Sequence, residues 1–417
     1  MYSFKIQFIT TKKDISFIMK SHNKDEVDNF VGDLLSIFIT LKENGKPLLN
    51  TLQKYTEENK KELNHFIDKY KLRLPRLNSV SAFLRKLKPN EYFVFLPNMN
   101  LEQIEILKLN EYIKTISAGK KYVNPSDELL DLYESFLKKY QLNTVGKNRV
   151  AIGEKDKQKR ICRFCLNKSN PTTFNNKAHA ISEALGNKTI ILFDECDKCN
   201  KEFSETIEPH IIQYLSLFRT IFGVKGKGGN KKLKGKNFTL SNNGQVNIVF
   251  NSLEDRPNPS DKNYNLKLNL QEPLVFQNVY KSFCKYFLSV IDDNDLIHFR
   301  DTIKWIKGDI ETTNLPRIAE LTTYDFFTLQ PELSYYIRKE DDTSIPFAVG
   351  RFCFTCKVYV FIIPFSDCDS LDFIKESEFR RYWKTFKLFS KSENWVFNDY
   401  SNNTPRDFSI NLNNEII

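Results

Sequence analysis

The sequence predicts an α+β protein of several domains. The 417 residues exceed what one hydrophobic core usually organises and suit two or three domains. Apolar residues recur with period two in some segments and every three or four residues in others, so strands and helices alternate along the chain. With 41% hydrophobic and 13% aromatic residues, each domain can bury a core, which excludes a disordered or fibrous chain.

Taken in order, Tyr2–Lys20 alternates apolar and polar positions about Thr11-Lys12-Lys13-Asp14, the pattern of a β-hairpin. Val27, Phe30, Val31, Leu34, Leu35, Phe38 and Ile39 follow at helical spacing. Asn44-Gly45-Lys46-Pro47 ends that helix, and a charged helical run extends from about Leu48 to Leu72. A strand at Tyr92–Leu96 and helices near 101–117 and 126–140 complete a first domain, residues 1–145, which carries no recognisable catalytic motif. Leu142–Arg160 is polar and reads as a linker or a solvated entry to a second domain, residues 146–236. That segment closes with Gly223–Lys236, which holds five of the 14 glycines and six lysines and reads as a mobile loop. From Phe238 an Asn242-Asn243-Gly244 turn between β-prone runs predicts a hairpin. Helices around 273–306 and strands at Tyr335–Arg338 and Lys357–Ile363 then form a third, α+β domain, residues 237–417.

The formal net charge is +10, and its location informs more than its size. Residues 151–240 contain 17 Lys and Arg against 9 Asp and Glu, leaving 45 against 43 for the rest. The surplus therefore sits in one segment, as a polyanionic partner would require. No stretch reaches the roughly 20 apolar residues of a membrane helix, and Met1-Tyr2-Ser3-Phe4-Lys5 lacks the features of a signal peptide. A cytoplasmic protein without a membrane partner is expected, and in a reducing compartment paired cysteines favour metal over disulfide.

Four of the eight cysteines lie in the basic segment: Cys162-Arg163-Phe164-Cys165, then 30 residues, then Cys196-Asp197-Lys198-Cys199. Cys162, Cys165, Cys196 and Cys199 can supply four thiolates to one tetrahedral, structural Zn²⁺. A redox motif would need only one pair and a thioredoxin-like context. Cys353-Phe354-Thr355-Cys356 has no second pair nearby and reads as core or strand. Between the knuckles, Lys177–Ile181 is β-compatible, Gly186-Asn187-Lys188 makes a turn, Thr189–Phe193 reads as a return strand, and Cys196 to Leu215 is helical. His22, His65 and His298 read as structural or surface residues.

His179 in the first of these strands, Asn187 in the connecting loop and Asn200 after the fourth cysteine resemble the HNH endonuclease family, in its zinc-braced ββα-metal form. The runs "AHAISEALGN" and "ECDKCNKEFS" are similar to a group of bacterial HNH proteins. The resemblance covers about 80 of the 417 residues, roughly 160–236. It implies a central ββα-metal (HNH) module in which one divalent ion, Mg²⁺ or Mn²⁺, holds a phosphate oxygen and the leaving oxygen. His179 would deprotonate the attacking water, Asn200 would place its carbonyl oxygen on the metal, and Asn187 would hold the loop through backbone hydrogen bonds. The chemistry accords: a phosphodiester needs a cation to neutralise developing charge, and a base titrating near neutrality suits water activation. Each residue has a plainer role open to it, His179 as a core or surface histidine, Asn200 as a helix cap and Asn187 as an ordinary turn residue.

One position departs from the family. Many members carry Asp, Glu or His before the base as a metal ligand, where this chain has Ala178. Hard cations prefer several oxygen ligands, so Glu183, Glu208 or His210 is expected to help. The implied activity is hydrolysis of DNA phosphodiester bonds leaving 5′-phosphate and 3′-hydroxyl ends. The flanking domains would select substrate or receive a regulatory protein or small-molecule trigger, and restriction or anti-phage defence is the role by analogy. The alternative is a non-catalytic, zinc-dependent nucleic-acid-binding protein, for which Ala178 is the best evidence. The lysine-rich loop could follow phosphates or serve as a solvated connector, and it carries no aromatic residue for base stacking.

Overall fold

The computed structural model describes residues 1–10, 14–41, 47–75, 77–84, 87, 90–97, 109, 112–119, 136–145, 150–169, 171–226, 229, 232–256, 263–324, 327–339, 341–386 and 394–415. They form a mixed α+β structure of two compact units, Met1–Leu137 and Lys138–Ile417.

In the first unit, β1 (Tyr2–Ile9) and β2 (Asp14–Ser21) pair as the expected hairpin. Helix α1 (Lys24–Ser36) starts where Asn23 accepts the Asp25 N–H. The helix expected over 48–72 is shorter. Strands β3 (Ile39–Leu41), β4 (Pro47–Leu49) and β5 (Leu52–Lys54) precede it, and α2 (Glu57–Tyr70) begins after the Thr56 cap. Helix α3 (Leu77–Leu84) leads to β6 (Tyr92–Pro97), and the antiparallel sheet runs β2-β1-β6-β5. Its core is aromatic, with Phe38 stacked on Phe95 at 4.1 Å. The expected turn at 11–13, the break at 44–46 and most of 101–117 and 126–140 lie outside the described residues. Of those two helices, the described residues 109, 112–117 and 136–139 are helical.

The second unit opens with β7 (Tyr140–Val145) and β8 (Val150–Ile152), so the stretch expected as a linker carries two strands. Then come β9 (Ala178–His179), β10 (Ile190–Leu192), α4 (Asp197–Thr206), α5 (Glu208–Tyr214) and α6 (Ser216–Ile221). Pro209, in the first turn of α5, breaks the single helix expected from 196 to 215. Strand β11 (Leu233–Lys234) joins the hairpin of β12 (Phe238–Asn242) and β13 (Val246–Phe250). Its turn is closed by Gly244 at φ +95°, whose N–H bonds Asn242 Oδ1. After β14 (Asn263–Asn269), helix α7 (Phe276–Val290) is buried along nearly its whole length. Helices α8 (Asp293–Leu296) and α9 (Arg300–Lys307) follow. Strands β15 (Ile318–Thr322), β16 (Thr328–Arg338), β17 (Ala348–Thr355) and β18 (Lys357–Ile362) build the main sheet, with α10 (Glu376–Phe386), β19 (Val396–Asn398) and β20 (Ser409–Glu415) completing the chain. That antiparallel sheet runs β19-β15-β18-β17-β16-β7, and Cys353 and Cys356 are buried in it.

Residues 146–236 and 237–417, expected as separate domains, belong to this one unit. Phe164, Phe203, Ile207 and Ile211 share a continuous core with Phe283, Phe287 and Phe352. Arg163 fastens it further. Its buried guanidinium donates to the Leu288 carbonyl at 2.7 Å, at the C-terminal end of α7, and pairs with Asp293 at 2.7 Å.

Candidate functional site

The two cysteine knuckles meet. The Sγ atoms of Cys162, Cys165, Cys196 and Cys199 all lie within 4.8 Å of one another, and Cys165 and Cys196 are 3.7 Å apart. A tetrahedron with Zn–S bonds of about 2.3 Å has edges of roughly 3.8 Å, so the cluster fits one tetrahedral ion. The backbone turns its N–H groups onto sulfur: Cys196 N–H to Cys162 Sγ and Cys199 N–H to Cys196 Sγ, both at 3.5 Å. Leu166, at φ +62°, closes the first knuckle, and Cys196 caps α4. A hydrogen bond from the Cys199 thiol holds the Cys162 thiol down to about 5, against the effect of burial. As the donor, Cys199 is raised, and burial pushes Cys196 up to about 12.

Between the knuckles the order is strand, turn, strand, helix. His179 pairs with Ile191 and Ala178 with Leu192 in an antiparallel ladder, and β10 also pairs in parallel with β8. The parallel partner was not legible, because three residues carry too little periodicity. Asn187 is buried in the connecting loop, where Nδ2 donates to the Ile181 carbonyl at 2.7 Å and the Ile190 carbonyl at 3.2 Å. Its Oδ1 accepts the Thr189 and Ile190 N–H groups at 3.1 and 3.0 Å. One side chain thus ties both ends of the loop that follows His179.

The His179 ring is half-buried. Among the described residues Nδ1 is enclosed without a hydrogen-bond partner, and Nε2 lies 3.9 Å from Glu183 Oε2. Burial lowers the imidazole pKa from its ordinary 6.5, with Glu183 pulling the other way. The ring is therefore neutral at pH 7, the form a base requires. Asn200 stands in the first turn of α4 with its N–H on the Cys196 carbonyl at 2.9 Å. Cys196 holds the cap position, so Asn200 is not the helix cap. Among the described residues no side-chain hydrogen bond engages its amide. Asn200 and Phe203, three residues apart, share a face of α4. The Phe203 ring lies 5.8 Å from Lys285 Nζ, which donates to the His179 carbonyl at 3.3 Å.

Lys285, on α7, is a residue the sequence did not single out. Its ammonium is fully buried between Glu195 and Glu208, 3.2 Å from a carboxylate oxygen of each. Burial disfavours the ammonium, but the two carboxylates outweigh it and raise the pKa. Burial pushes Glu195 up to about 7 against the pull of Lys285. No periodicity could have paired Lys285 with His179, 106 positions away.

Of the side chains expected to replace the missing ligand, Glu208 is engaged by Lys285. His210 accepts the Val275 N–H on Nδ1 at 3.2 Å. Glu183 alone stands within 4 Å of the His179 ring. Ala178 is buried, its side chain on the opposite strand face from His179. Among the described residues no third His, Cys, Asp or Glu ligand atom groups with His179 and Glu183. Elsewhere, His298 Nδ1 pairs with Asp367 at 2.8 Å. Among the described residues no helix is long and apolar enough to cross a membrane. Protein-family models, curated proteins and solved structures contain no match to this chain.

Proposed function

We propose that the protein is a metal-dependent endonuclease of the HNH type that hydrolyses DNA phosphodiester bonds. The observation that carries this reading is a half-buried His179 on a short hairpin clamped between two cysteine knuckles. In this reading the four thiolates hold a structural Zn²⁺, which fixes the start of α4 and with it Asn200. His179 accepts the proton of the attacking water, its loop kept in register by Asn187 and its carbonyl by Lys285. Glu183 and Asn200 would hold the Mg²⁺ or Mn²⁺, which would supply charge neutralisation at the phosphate. So few protein ligands suit Mg²⁺, which usually keeps several waters and binds through one or two carboxylates plus substrate phosphates. Restriction or anti-phage defence, in the cytoplasm, is the setting by analogy.

Ala178 and the absence of a three-ligand group beside His179 among the described residues favour a second reading, a zinc-dependent nucleic-acid-binding protein without catalysis. Incubating the purified protein with plasmid and single-stranded DNA in Mg²⁺ or Mn²⁺ separates the two. The nuclease reading expects cut DNA with 5′-phosphate ends. Binding without cutting, alike in wild type and His179→Ala, would establish the second.

A further inference from the structure

The turn after His179 adjoins a cluster of aromatic rings brought in from distant parts of the sequence. Gly186, at φ +89°, is pressed by two segments: a Cβ there would lie 2.8 Å from Val224 Cγ1 and 3.5 Å from the Leu329 carbonyl. Gly226 packs on Glu183 in the same way, a Cβ meeting the Glu183 carbonyl at 3.1 Å. The start of the lysine loop and the start of β16 thus both abut the segment that carries Glu183, His179's neighbour. On these two segments stand Phe222, Tyr324 and Phe327. Phe222 lies edge-on to Phe327 at 5.1 Å and to Tyr324 at 6.4 Å, and the Tyr324 and Phe327 rings stack within 25° at 6.2 Å.

Phe222 is half-buried against the main core, and the two rings it supports face outward. Tyr324 is 71% exposed, Phe327 41% and the adjacent Leu329 52%. A contiguous exposed apolar patch marks an interaction site more often than a neutral surface. Exposed Lys188 follows Asn187 in the turn, and exposed Lys225 precedes Gly226. Flat apolar faces on segments that also carry exposed lysines match a ligand with unstacked bases on an anionic backbone, for which stacking and phosphate contact act together.

We infer that the ledge formed by Phe222, Tyr324 and Phe327 is a base-stacking platform for single-stranded nucleic acid, placed beside the His179 hairpin. This rests on the nucleic-acid reading above and deepens it: the preferred substrate has unpaired nucleotides next to the bond to be cut. A fully paired duplex offers no free base face to the ledge and is held by its phosphates alone.

The test is binding, measured by fluorescence anisotropy in full-length His179→Ala protein so that no cleavage intervenes. The probes are a labelled single strand and the duplex of the same sequence. Adding Tyr324→Ala and Phe327→Ala is expected to weaken the single strand about tenfold or more, as loss of base stacking does, and the duplex less than twofold. Trp at both positions should retain tight single-strand binding. Equal losses on both probes, or none on the single strand, overturn the platform while duplex binding leaves the nuclease reading standing; the ledge then fits a protein partner. If the unaltered ledge binds neither probe, the platform and the nucleic-acid reading fall together.

Discussion

His179 shows how far a single residue's chemistry follows from its surroundings. Burial disfavours the imidazolium, so the ring stays neutral until the pH drops below the ordinary value of 6.5. A base in that state loses activity only on protonation. The cleavage rate should therefore be flat near neutrality, with an acid limb below pH 6.5, read from a pH–rate profile under single-turnover conditions. Asn187 makes a complementary prediction. Asn187→Ala removes four backbone hydrogen bonds in a buried loop and should cost about 2–4 kcal/mol, measured as a lower denaturation midpoint. Each cysteine knuckle and the Asn187 turn were legible because each is only a few residues long. Lys285 was not, since its partners Glu195 and Glu208 reach it only through the packing of α7. A lysine in a largely apolar helix, like Lys285 or Lys281 one turn before it, carries no mark of what it will meet.

At the level of elements, the knuckles are where order and chemistry coincide. Both N–H···S bonds and the Cys196 cap place α4 directly against the sulfur cluster, so ion binding and helix position are coupled. Metal analysis is expected to find about one zinc per chain in wild type, and Cys199→Ser should lose it and unfold at a lower temperature. A variant that keeps full zinc and full stability would remove the metal from the account. The hairpins at β1–β2 and β12–β13 were legible from alternation and turn residues. Strands of two or three residues such as β8 and β9 were only partly so, because pairing partners rather than residue pattern define them. The split between α4 and α5 could have been read from Pro209, which periodicity alone overlooks.

For the whole molecule, the division of the chain was the least legible feature. Composition places a boundary after the lysine loop, but burial does not respect it. Phe203, Ile207 and Ile211 need Phe283 and Phe287 to cover them, and Arg163 needs the end of α7. A fragment covering 138–417 should unfold in one cooperative transition and bind zinc as the full chain is expected to, whereas a fragment covering 146–236 should not fold, because its core residues would lie exposed. Calorimetry on the two fragments checks this. The same arrangement explains how distant residues come to surround one short hairpin: the cysteines clamp it, Lys285 holds its backbone and the aromatic ledge flanks its turn. The role of His179 as the base of a metal-dependent nuclease is decided by the single-turnover rate of DNA cleavage by wild type and His179→Ala in Mg²⁺ or Mn²⁺. Metal-dependent cleavage that falls by about 10²–10⁴ in the variant is expected, and equal rates for the two proteins would rule that role out.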